Sequence, residues 1–353
     1  MQGCHFAKTD LTCPIPRLKR LKKTTSHSRN IRFSKDLWQE PFVMNEANMH
    51  RTAPGATSLL PTLALLGAVF LWGSSFSAMK VAVAAFGPIF TVWARMIIST
   101  ALFVPLSLKL LRDCRLGRDW LWIVLLALFQ PCLYFLCEGF AVHYTTSAQA
   151  GMVAAVLPLL VAAGAHLVLK EASGVGIWIG GALSCLGVIW LTLASTPSAT
   201  APNPLLGNLL ELAAMVSAAG YMLTVRRLAG RYSSWLLTGL QFSLGVLFFL
   251  PGAASGPSGD WPATPLPYLL LLYLGALVTL GAFNLYNWGI ARVPAGRAAA
   301  FVNLVPVTAA ILGAVFLDEY LSPTQIIASA LVLTGVVLAQ CTVFDSRLLR
   351  AKK

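Results

Sequence analysis

Residues 158–188 read PLLVAAGAHLVLKEASGVGIWIGGALSCLGV, and residues 306–336 read PVTAAILGAVFLDEYLSPTQIIASALVLTGV. In the first, Pro158 is followed thirteen residues later by Glu171, and Glu171 sixteen later by Gly187. In the second, Pro306, Glu319 and Gly335 keep the same intervals, so all three pairs share an offset of 148. Both glycines precede a valine. Further out, Pro105 and Pro251 differ by 146, and so do Arg95 and Gln241. An internal repeat of about 147 residues therefore covers nearly the whole apolar body.

That body is a membrane body. Of 353 residues, 57% are hydrophobic and 11% charged, with a mean hydropathy of +0.72. Ordinary globular chains carry about 25% charged residues, so too little charge is present to cover a water-facing surface. Disorder, coiled coil, collagen and a disulfide scaffold are excluded as descriptions of the whole chain. Spanning helices need about 20 mostly apolar residues. Such runs lie at 60–80, 88–109, 120–142, 147–169, 174–194, 205–225, 235–252, 266–290, 297–317 and 322–343. Backbone groups in lipid must be satisfied within the segment, which favours helices over open strands. Five helices per repeat is an odd number, so the second copy must insert upside down. The expected fold is an all-α polytopic membrane protein, with ten transmembrane helices as two inverted five-helix repeats.

Charge distribution gives the orientation. Ten Lys and Arg lie in residues 1–58 and four in 344–353. With a cytoplasmic N-terminus, 24 bases fall on the inner side and only Lys80 on the outer side. That asymmetry is the positive-inside pattern, and it places both termini in the cytoplasm. The net charge of +13 thus records orientation and does not call for nucleic acid as a partner. The expected organisation is a basic tail at 1–58, a first repeat at 59–196, an inverted second repeat at 204–343 and a basic tail at 344–353. The N-terminal tail reads as disordered or as a mis-annotated start, with Met44 and Met49 as alternative initiators. Its bases also fit a lipid-binding or transit-like segment.

The opening helix, Leu71-Trp72-Gly73-Ser74-Ser75-Phe76-Ser77-Ala78-Met79-Lys80, resembles that of the drug/metabolite transporter superfamily, specifically its ten-helix EamA-type permeases. Arg95 stands where such permeases often carry an arginine. The Pro158–Glu171 and Pro306–Glu319 stretches are similar to the ends of the two EamA units. Ser75 departs from the asparagine common there. The resemblance covers about residues 60–340 and implies a ten-helix basket that exports or imports small organic molecules.

Charges within spans are costly and are therefore default functional candidates. Arg95, Glu138 and Glu211 fall at similar depth and form an expected outer charged belt, with Arg95 pairing with either acid. The alternative is a static salt bridge. Gln241, Asn284, Asn287 and Asn303 form an expected inner belt of amides, able to hydrogen-bond a polar solute or to join helices. Trp72, Tyr134 and Tyr221 are candidate cavity aromatics. Tyr286 and Trp288 are assigned to an interfacial belt. Glu171 and Glu319 are assigned to structure, each at the N-terminus of its following helix. Pro105, Pro158, Pro251 and Pro306 are expected to permit kinks.

No catalytic motif, phosphate-binding loop or metal-ligand spacing occurs, and no cofactor is expected. Seven cysteines make no framework. Inverted repeats are the usual construction of secondary transporters. The function read here is transport of small polar metabolites, amino acids or related compounds first. Nucleotide-sugar or sugar-phosphate transport, a membrane scaffold and an intramembrane enzyme are the alternatives. Expected partners are a small-molecule substrate, the lipid bilayer and protons as a coupling ion; a homodimer stays open. The expected location is a bacterial inner membrane.

Overall fold

In the computed structural model, residues 59–112, 119–169, 175–228, 232, 234–290 and 301–351 are described. Among them every element is helical and no strand occurs. In chain order the helices are α1 (Leu59–Phe86), α2 (Pro88–Arg112), α3 (Trp120–Ala127), α4 (Tyr134–Tyr144), α5 (Ser147–Ala154), α6 (Leu157–Leu169), α7 (Val175–Leu193), α8 (Pro204–Leu228), α9 (Ser234–Ala253), α10 (Leu266–Leu272), α11 (Phe283–Ile290), α12 (Leu304–Leu317) and α13 (Pro323–Ala351). Wider π turns join α3 to α4 (Leu128–Leu133) and α10 to α11 (Tyr273–Ala282). Against the ten spans expected, 7 helical runs among the described residues are long and apolar enough to cross a membrane, with Trp120–Tyr144 and Ser147–Val168 each taken as one run. Three shorter apolar helices follow, at Leu266–Ala282, Leu304–Leu317 and Pro323–Ala339.

Local chemistry sets several boundaries. Gly87 alone separates α1 from α2, at φ 80, a region costly for any residue with a Cβ. A Cβ there would also collide with Ser258, whose N–H donates to the Phe86 carbonyl at 3.1 Å. At the start of α13, Ser322 and Gln325 form a reciprocal capping box. Ser322 N–H donates to Gln325 Oε1 at 2.9 Å, and Gln325 N–H to Ser322 Oγ at 3.3 Å. Pro323 opens that helix, where its missing N–H costs nothing.

The prolines behave differently from expectation at two positions. Pro158 and Pro306 lie in the first turns of α6 and α12, where no intrahelical donor is lost, so neither needs a kink. The run 147–169 is two helices, divided at Ala155 and Val156. The strongest interruption lies elsewhere, at Gln130, whose φ of −145 and ψ of 121 are extended. Pro131 follows it, and proline disfavours the helical region in its predecessor.

Helix α7 shows how the body packs. Its buried face carries Gly176, Gly180, Ser184 and Gly187. Its exposed face carries Trp178, Ile179, Leu186, Ile189, Trp190 and Leu193. The glycines and Ser184 face protein together with Ile177, Val188 and Leu191, while both tryptophans and the remaining large apolar residues named face outward. Gly180 lies against Gly335, and Gly187 against Ala328 and Val332, so α7 and α13 run antiparallel. Ser184 Oγ donates to the Val332 carbonyl at 2.9 Å. The contacts Gly180–Gly335 and Gly187–Ala328 exchange with each other under the 148-residue offset. Three buried clusters fill the interior, the smallest of them Ile123, Leu126, Leu228 and Leu237, and two larger ones matter for the site. One gathers Phe76, Met79, Phe86, Met96, Phe242 and Phe249; the other gathers Met152, Leu191, Met215, Val332 and Val336. Tyr134 touches both.

A Cβ at Gly180 would meet Ala339 N at 2.7 Å, while one at Gly181 would meet nothing within 4 Å. Gly180→Val and Gly335→Val are each expected to lower stability in detergent by about 1–3 kcal/mol through overpacking. Gly181→Val is expected to change it by less than about 0.5 kcal/mol. Thermal unfolding of the three purified variants checks this.

Candidate functional site

Antiparallel packing of α4 on α8 sets the register of the charged group. Gly207 lies against Thr145 and the Ala141 carbonyl, and Gly220 against the Phe129 ring. Ser217 Oγ donates to the Phe129 carbonyl at 2.8 Å. One turn in from Gly207, that register brings Glu211 level with Glu138. From the other side, Gly139 packs against Val92 and Pro88 of α2, which brings Arg95 to Glu138.

Arg95 is 4% exposed and Glu138 5%. Arg95 Nη1 lies 3.7 Å from Glu138 Oε2. Its Nε donates to Thr279 Oγ1 at 2.8 Å, and its Cζ sits 4.3 Å from the Phe135 ring centroid. Thr279 comes from the π turn at Tyr273–Ala282, and its hydroxyl donates to the Leu274 carbonyl at 2.7 Å. Ser99 Oγ ties the same segment to α2 through the Arg95 and Gly275 carbonyls, at 2.9 and 2.8 Å. The irregular turn thus supplies what a straight helix would not: a hydroxyl aimed at the guanidinium. Tyr134 OH donates to Glu138 Oε1 at 2.8 Å from one turn earlier on α4.

Glu211 is 0% exposed. It feels the charge of Glu138, yet neither of its carboxylate oxygens has a hydrogen-bond partner, and neither does Glu138 Oε2. Charged residues within a span cost about 2.5–3.5 kcal/mol each by insertion scales. One guanidinium beside two carboxyl groups leaves that cost only partly offset.

A second polar group seals the end where α1 meets α2. Lys80 Nζ donates to the carbonyls of Val142 and Thr145, at 2.5 and 2.6 Å, and to that of Thr200. Glu319 Oε2 accepts from Ser147 N–H and Oγ at 2.7 and 2.6 Å, and from Ala148 N–H at 3.4 Å. Glu319 therefore does not serve its following helix, as expected; it caps α5, 172 residues away in sequence. Gly313 permits this, since a Cβ there would lie 2.8 Å from Ser147 Oγ and 3.2 Å from Glu319 Oε2. Beside them, Gln149 Oε1 accepts from Thr145 and Ser195 hydroxyls, at 3.0 and 2.8 Å. Asn208 Nδ2 bonds Gln149 at 3.3 Å and Thr192 at 3.1 Å.

Of the remaining candidates, Gln241 is 2% exposed, and its Oε1 has no hydrogen-bond partner. Trp72 packs on Phe283 and Tyr286, with centroids 5.5 and 5.0 Å apart. Asn303 precedes α12 and makes no side-chain cap there. Asn284 and Asn287 lie on α11, but their side chains, like Trp288, fall outside the described residues, as does all of Glu171. Thr279, Lys80, Gln149 and Asn208 were not among the expected site residues. A polar residue inside an apolar run was the available signal for Gln149 and Asn208; nothing in the sequence pointed to Thr279.

The family described as EamA-like transporters matches the chain twice, at residues 59–193 and 205–340. The uncharacterized transporter YetK of Bacillus subtilis is 31% identical over 207 residues, which span 58% of this chain and 63% of YetK, under two thirds of its length. YcxC of Bacillus subtilis, also named an uncharacterized transporter, is 27% identical over 280 residues, 76% of this chain and 88% of the relative. The WAT1-related protein At3g02690, chloroplastic, of Arabidopsis thaliana is 26% identical over 302 residues, 80% of this chain and 70% of the relative. A solved crystal structure shares the fold at 24% identity and a TM-score of 0.56, covering 82% of this chain and 98% of its own. Matched by that family over most of its helical length, this multi-pass membrane protein belongs to the EamA-like transporters.

Proposed function

We propose that the protein is a secondary transporter of small polar organic metabolites, amino acids or related compounds foremost. It works by alternating access between two inverted five-helix repeats that together cross the membrane ten times. The observation that carries this reading is the Arg95–Glu138–Glu211 group; among the described residues Glu319 is the one other buried charged side chain. Charge kept at such cost is retained for a ligand or an ion. The exchange of Gly180–Gly335 with Gly187–Ala328 under the repeat offset supports the inverted arrangement, because two copies related by a two-fold axis in the membrane plane meet reciprocally.

The Lys80 and Glu319 contacts act as an outer gate. They hold α1, α4, α5 and the segments at Thr200 and Glu319 together, so a path from outside to Glu138 requires them to part. Both termini are cytoplasmic, which puts the turn at Gly256–Gly259 outside.

Counterflow in proteoliposomes with a panel of amino acids, amines, sugars and organic acids tests the function. Flux of at least one labelled solute is expected, and none in correctly folded protein overturns transport. For the gate, Lys80→Met is tested in a variant keeping Cys137 as sole cysteine. An impermeant thiol reagent added outside is expected to label Cys137 several-fold faster than with Lys80 present; an equal rate removes the gate. For orientation, a cysteine replacing Gly259 should be labelled from outside intact cells. Labelling only after permeabilisation would reverse the topology.

A further inference from the structure

We infer that Glu138 and Glu211 together form the seat for the primary ammonium group of the substrate, and that one proton leaves this pair when the ammonium enters. The inference rests on the transporter reading above and, within its small polar metabolites, puts small organic monocations bearing –NH3+ ahead of the zwitterionic amino acids.

The first support is a count of charges. Arg95 is engaged by Glu138, Thr279 and the Phe135 ring. It offsets one carboxylate and leaves one negative charge over. Glu138, Tyr134 and Cys137 of α4 are the titratable groups that face Glu211, with Arg95 of α2 behind Glu138. The other elements packed on α8 bring no charged side chain to it among the described residues. Their titratable groups are Cys132 in the π turn, His166 of α6, which stacks on Trp178, and Cys185 of α7, which is exposed.

The second support is a count of hydrogen bonds. Three carboxylate oxygens at this place have no donor: Glu138 Oε2, Glu211 Oε1 and Glu211 Oε2. The one hydroxyl at hand, on Tyr134, is committed to Glu138 Oε1. A primary ammonium offers three N–H donors and no acceptor. A quaternary ammonium offers none, and a zwitterion brings a carboxylate that restores the excess negative charge. The fold already seats one such group: Lys80 Nζ is held by three oxygens, the carbonyls of Val142, Thr145 and Thr200.

The third support is volume. The three oxygens are sealed in this arrangement. A proton needs no space and can occupy the closed pair. An ammonium needs α4 and α8 to separate, which the opening of one side provides. One H+ then leaves the carboxyl pair as one R–NH3+ takes its place, so the charge of the site is the same in both forms and the exchange is electroneutral.

The test uses solutes matched in skeleton: ethanolamine, choline and serine, and phenethylamine with its N-trimethyl derivative and phenylalanine. Counterflow is measured in proteoliposomes against protein-free vesicles. The primary amine of at least one series is expected to exchange at least tenfold faster than its two counterparts. Glu211→Gln is expected to reduce that flux at least tenfold. A second measurement needs no variant. Addition of the favoured amine to the full chain in weakly buffered detergent should release about one proton per amine bound. Preference for zwitterions, anions or quaternary ions, or binding without proton release, overturns the ammonium seat and leaves transport standing. Absence of flux for every solute, including the wider panel, removes both.

Discussion

Two helix ends that meet within two residues govern one side of this molecule. The chain leaves α4 at Tyr144 and starts α5 at Ser147, so a set of unpaired carbonyls and a set of unpaired N–H groups face each other at the edge of an apolar body. Neither set can be left bare in lipid. Thr146 covers the Gln149 N–H from within the turn at 3.2 Å. The rest of the demand is met from far away in sequence: a lysine from α1 for the carbonyls, and a glutamate from beyond α12 for the amides. The signs suit the helix dipoles, with a cation at the C-terminus of α4 and an anion at the N-terminus of α5. Because the two caps come from different halves of the chain, the turn also binds the halves together.

The charged group in the interior obeys the same rule less completely. Arg95 has three kinds of partner, a carboxylate, a hydroxyl and an aromatic face. Glu211 has none that donates to it. At the turn, charges are matched in sign with the helix ends, and Lys80 and one oxygen of Glu319 are each held by several partners. In the interior charges are mismatched by one carboxylate. Other buried polar atoms also lack partners, Gln241 Oε1 and Glu319 Oε1 among them, but only here do two carboxyl groups share the shortfall.

Much of this was legible in the residues. Apolar runs located the helices, because lipid admits few alternatives, though α1 and α13 run on by six and eight residues and 147–169 is divided; Pro158–Glu171–Gly187 against Pro306–Glu319–Gly335 exposed the repeat. The charges at Arg95, Glu138 and Glu211 stood out by rarity alone. What stayed hidden was whatever depends on register between distant segments. An apolar run does not say that Gln130 is extended, or that Tyr273–Ala282 winds as a π turn and so presents Thr279. Nor does a glutamate at a helix junction say which helix it caps; its own neighbour was the local guess, and α5 was the answer. Lys80 looked like a surface charge because nothing in the sequence tells that three carbonyls converge on it.

Helix α7 bears on how such a body responds to heat. Its glycine face meets α13 and its tryptophan and leucine face meets the outside. In a bilayer, parting the two helices exchanges protein contact for acyl chains, and little apolar surface passes into water. The heat-capacity change that marks apolar exposure is therefore nearly missing from this association. Without it, the curve of stability against temperature loses most of its bend. A contact between α7 and α13 built on close fit and the Ser184–Val332 hydrogen bond should weaken steadily on warming, and should lack the low-temperature loosening expected of a core held by exclusion of water.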